Sequence, residues 1–118
     1  MAENAIVRWK GRYYLFASYY VEPKYMLRRL RTMVRKKPKS FAREMARRYP
    51  DYRGKIHAVS AAHAKADAFN AYFYDIKGNT ITVYESVPVS PNDYKHWKWK
   101  KIRTVVVQPL RRRKPRRR

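Results

Sequence analysis

Cysteine is absent from this chain of 118 residues, which excludes disulfides, thiolate metal sites and a cysteine nucleophile. Glycine is scarce, and the three at positions 11, 54 and 78 cannot form a glycine-rich phosphate loop. Histidine occurs only as His57, His63 and His96, too scattered for a zinc site of the usual spacing. No apolar run approaches the ~18 residues of a membrane-spanning helix. The opening stretch MAENAIVRWKGRYY lacks the continuous apolar segment of a signal peptide. The expected location is therefore a virion or an intracellular nucleoprotein particle, not the secreted space. Glutamine occurs once and charged residues reach 32%, a profile that leans towards a heat-adapted source.

Acid is the most telling shortage. Eight Asp+Glu stand against 30 Lys+Arg, a formal net charge of +22. A compact domain with that charge repels itself and calls for a polyanion. Hydrophobic residues make up 45% and aromatics 15%, so the chain is not merely a disordered basic tail.

The excess is concentrated. Residues 24–55 hold 13 Lys+Arg against Glu44 and Asp51, and residues 96–118 hold 11 basic residues and no acid. The remaining segments are close to neutral. A mixed-sign charge run is ordinarily a solvated face, but the near absence of acid here points to polyanion contact.

Residues 5–21 read as two strands meeting at Lys10-Gly11, with Tyr13, Leu15 and Ala17 on one face and Tyr14 and Phe16 on the other. Both faces are aromatic, so either both are covered or one is an interaction surface. Pro23 suits a first helical turn, and Leu27, Leu30 and Val34 recur at helical spacing over 24–36. Lys24, Arg28, Arg31 and Arg35 form a basic stripe on another face of that helix, which Lys36, Lys37 and Lys39 extend. Ser40 is a candidate N-cap for a second helix over 41–49, with Arg43 and Arg47 on its outer face. Val59, Ala62, Ala66, Phe69, Phe73 and Ile76 recur at spacings of three and four, which predicts an Ala-rich amphipathic helix over about 58–74, with strand as the alternative for its aromatic end AYFYDI. Thr80–Val87 alternates as a strand, and a last strand is expected over 101–107. The expected fold is α+β: one small domain over 1–110 with antiparallel strands, a basic helical hairpin (24–49) and the Ala-rich helix, then a basic tail over 111–118.

Four features bear on function. The tail, with Arg111, Arg112, Arg113, Lys114, Arg116, Arg117 and Arg118 around one proline, suits phosphate binding by guanidinium forks. Its alternative is a solubilising or targeting tail. In the segment YKHWKWKK, Trp97 and Trp99 share a strand face while Lys98 and Lys100 oppose them, with Lys101 and Arg103 following. That pattern suits base stacking with phosphate neutralisation, or else two core tryptophans beside lysine stems. The helical hairpin lacks Asn and Gln over 24–49, so backbone contact is expected over base readout. Eleven tyrosines suit core and subunit packing.

No catalytic residue, metal or cofactor is expected. His63 and Asp67, four apart, are taken as a structural pair. The sequence supports a structural nucleic-acid-binding protein that packages its partner without sequence specificity. Duplex DNA is the favoured partner, with RNA the second, and self-association into a nucleoprotein particle is expected. A lineage-specific ribosomal protein is the alternative. Membrane-surface binding ranks below both, because the apolar helix faces are short and lack a Trp-rich edge.

Overall fold

The computed structural model describes residues 4–17, 21–66, 71–92 and 96–108. Strands β1 (Asn4–Trp9) and β2 (Arg12–Ala17) form the first hairpin. Trp9 pairs with Arg12, leaving Lys10 and Gly11 as the turn, at φ 49° and 78°. Two positive φ angles make the type I′ turn whose twist matches a two-residue hairpin. Helices α1 (Pro23–Lys36) and α2 (Phe41–Arg48) follow, then a 3-10 turn at Pro50–Tyr52. Next come β3 (Ile56–Val59), a six-residue helix α3 (Ala61–Ala66), and the meander β4 (Ala71–Lys77), β5 (Thr80–Pro88) and β6 (Trp97–Val106).

The fold is α+β, with all six strands in one sheet of order β3-β2-β1-β4-β5-β6. The sheet is mixed, because β1 runs parallel to β4 while the other neighbours are antiparallel. The expected antiparallel pairing holds except between β1 and β4, which is a correction to it. The run Ala5-Ile6-Val7 is buried throughout, as a central strand covered on both sides requires.

Helices α1 and α2 cover one face. Met26, Leu27, Leu30, Met33 and Val34 point inward from α1, and Phe41 and Met45 from α2. Phe41 is the hub, with its ring centroid 5.1 Å from Trp9, 5.1 Å from Tyr14 and 6.1 Å from Phe16. Tyr74 donates its hydroxyl proton to the Val21 carbonyl at 2.6 Å, tying β4 to the segment entering α1. Burial pushes that phenol well above its ordinary pKa, so it remains a donor.

The hairpin's punctuation matches its sequence. Pro23 opens α1, Ser40 accepts from the Arg43 N–H at 3.4 Å, and Lys37 ends α1 in the left-handed region. The helix expected over 58–74 does not form. Ile56–Val59 pairs with β2, α3 covers Ala61–Ala66 among the described residues, and Ala71–Lys77 is a strand. Ser60 accepts from the His63 N–H at 3.0 Å where α3 begins. The Ala-rich stretch keeps its helix propensity, while Tyr72, Phe73 and Tyr74 suit a strand bonded on both sides. The last strand starts four residues earlier than expected and takes in WKWK. Asp67 and residues 111–118, including every arginine of the tail, lie outside the described residues.

Candidate nucleic-acid interface

The cationic side chains of the hairpin lie on its outer surface, because the inner faces of both helices are occupied by Met, Leu, Val and Phe. Lys24, Arg28, Arg35, Lys36, Lys37, Lys39, Arg43 and Arg47 are exposed, and Arg31 is half-buried. They are not equivalent. Lys36, Arg47 and Arg48 converge on Glu44 at 3.5, 2.7 and 3.5 Å. The Arg47 hydrogen bond holds the Glu44 carboxyl below the usual range, so three cations share one carboxylate and leave a net positive cluster. Arg35 donates from Nε to the Gln108 carbonyl at 3.1 Å, tying α1 to the end of β6. Arg29 turns inward over the Tyr49 and Tyr52 rings, 4.9 Å from each centroid, and is structural.

A second cationic feature joins Lys37 to three residues that sequence reasoning left out. The β1–β2 turn, the β4–β5 turn and the end of α1 meet around a recess of about 370 Å³. Arg8, Lys10, Lys37 and Lys77 line it, and none of its lining residues is acidic. Asp75 lies behind, 3.9 Å from both Arg8 and Lys77, with its other oxygen buried and unpaired. The end of α1 contributes a partial charge of about −0.5, which four full positive charges outweigh. Only the topology reveals this cluster, since its members come from three separated segments.

Among the described residues, α3 alone of the helices packs on the opposite sheet face, through Ala64 against Ile6. Beside α3 that face carries a cluster of aromatic rings, bordered by Leu15, Val59 and the Arg8–Asp75 pair. Tyr13 and Phe73 lie 6.3 Å apart, Phe73 and Tyr84 5.5 Å, Phe73 and Trp99 5.5 Å, and Trp99 and Trp97 4.9 Å. All five rings are half-buried. Trp97 and Trp99 share this face, as their spacing predicts, yet they are neither in the main core nor fully exposed. Lys98, Lys100, Lys101 and Arg103 are exposed along β6, an edge strand. Arg103 pairs with Val83 and Lys100 with Glu85 on the helix side, while Lys101 pairs with Tyr84 on the aromatic side.

Among the described residues, no group of three His, Asp or Glu is placed to hold a metal ion, and no helix is long and apolar enough to cross a membrane. No protein-family model matches the chain, and no curated protein or solved structure matches it.

Proposed function

We propose that the chain is a structural nucleic-acid-binding protein that neutralises and wraps or packages its partner without reading sequence, as a nucleocapsid or chromatin-like subunit does. One observation carries this reading. The outer surface of the helical hairpin presents a dense set of cations with Glu44 as the sole acid of the two helices, and it holds no Asn or Gln to pair with base edges. Arginine and lysine spread along such a surface follow phosphate rows, and the recess of Arg8, Lys10, Lys37 and Lys77 continues that field past the end of α1 to the turns of the central strands. The tail over 111–118 belongs to the same electrostatic grip. The role is structural, not catalytic.

A ribosomal protein on rRNA is the second reading, and the aromatic sheet face favours it, because RNA loops present unstacked bases. Purifying the protein from its source and identifying the bound nucleic acid separates the two. A packaging protein brings DNA protected at a regular footprint with many copies per molecule, whereas a ribosomal protein brings one copy per rRNA.

Affinity for a random duplex, titrated against salt, should fall with a log–log slope of about −5 if about six phosphates are neutralised. A slope near −1 sinks the electrostatic reading. Deleting residues 111–118 should make that slope shallower and weaken binding while leaving the circular-dichroism melt in place. An unchanged slope means the tail is passive.

A further inference from the structure

The aromatic face conflicts with ordinary sheet chemistry. A sheet face not covered by helices is normally polar, and a contiguous exposed aromatic patch marks an interaction surface. Here the patch borders an open cavity of about 820 Å³ between α3 and β6. Tyr13, Phe73, Trp97 and Trp99 line it, together with Lys65 and Lys98. None of its lining residues is acidic. Its size falls within the ~300–1,000 Å³ of ligand-sized pockets.

We propose that this cavity takes unstacked bases of single-stranded nucleic acid, stacking them on the Trp97–Trp99–Phe73–Tyr13 rings while lysines at its rim hold the phosphates. The inference rests on the polyanion reading above and adds a second site on the opposite side of the sheet. Three arguments lead to a single strand. The rings line a recess beside α3, whereas the bases of a duplex offer only their edges, in the grooves, because their faces are already stacked on one another. Aromatic rings interleaved with lysine match the chemistry of a single strand, whose bases are free to stack and whose backbone needs neutralising. Lysine is also the charge available there: Lys65 borders the cavity and Lys101 sits on the aromatic face beside Tyr84, whereas Lys98, which pairs with Val87, belongs to the helix side of β6. A purely apolar partner, such as a segment of a second copy, would gain nothing from these cations and would have to strip their water.

Intrinsic tryptophan emission provides the test. Trp9 is buried against Phe41, so quenching on titration reports Trp97 and Trp99. The probes are oligo(dT) and oligo(U) of about ten nucleotides, and a random duplex of equal length. Both single strands should quench the emission and the duplex should not. Trp97→Ala with Trp99→Ala should weaken single-strand binding by about tenfold or more and duplex binding by less than about twofold. Trp97→Phe with Trp99→Phe should restore most of the loss. If the alanine variant does not fold, Lys65→Glu with Lys101→Glu, both at exposed positions, should lower single-strand affinity with the rings untouched.

Equal quenching by duplex and single strand overturns the proposal, as does unchanged single-strand affinity in a folded alanine variant. So does an alanine variant that changes only the sedimentation mass, which would make the face a contact between copies. Binding in neither arm defeats the polyanion reading itself, whereas duplex binding with silent tryptophans defeats only this inference.

Discussion

Replacing Arg28, Lys39 and Arg43 together by Glu is expected to lower affinity for duplex DNA by about 500-fold near 0.1 M salt. Each phosphate contact contributes about 0.9 to the salt slope, so at ~0.1 M three lost contacts remove about 2.7 decades of affinity before any repulsion from the new carboxylates. All three side chains are exposed, and none takes part in an ion pair among the described residues. Arg35 is left in place because its bond to the Gln108 carbonyl supports the fold. The loss should be the same for unrelated sequences, and the slope should become shallower by about three. Fluorescence anisotropy at several salt concentrations measures both. A loss under threefold rejects the hairpin as the duplex-binding surface, and a loss confined to one sequence means that bases are read.

Phe41→Ala is expected to be the most damaging single change to the fold, at about 3–5 kcal/mol. Its ring meets Trp9, Tyr14 and Phe16 at once, so truncation opens a cavity where α2 meets the β1–β2 hairpin. The bulky neighbours are held by two strands and cannot close the gap. Against a total stability of about 5–15 kcal/mol for a domain of this class, that removes about a fifth or more. A urea or thermal melt by circular dichroism measures it, with a midpoint fall of about 10–20 °C. A cost below ~1 kcal/mol would mean that the aromatic hub holds little of the core together.

The helical hairpin was legible because its signals are local. Pro23, Ser40 and the spacing of Leu27, Leu30 and Val34 each act within one turn of helix, and each takes the expected role. The β1–β2 turn was legible for the same reason. The stretch from 58 to 74 misled because spacings of three and four also arise when a strand, a short helix and another strand adjoin. Phe73 and Ile76 look like one helical stripe, yet they lie on opposite faces of β4. What decides between the two is the bonding of β4 to β1 and β5, a non-local gain invisible to periodicity. The shared face of Trp97 and Trp99 could be read from alternation, whereas their neighbours Phe73, Tyr84 and Tyr13 could not. Arg8, Lys10 and Lys77 were passed over because each is a single cation in a near-neutral stretch.

The place of β1 in the sheet sets the order in which the protein can be made. The first strand of the chain lies in the middle, and its register joins Asn4 to Ala71 and Trp9 to Ile76. A growing chain that has not yet reached Ala71 has one side of β1 open, whatever its hairpin with β2 has achieved. Long-range pairing of this kind is slow, because the intervening loop must close before any bond repays it. The basic helices are synthesised inside that interval. The chain is thus a polycation, emerging beside ribosomal RNA, before its sheet can close.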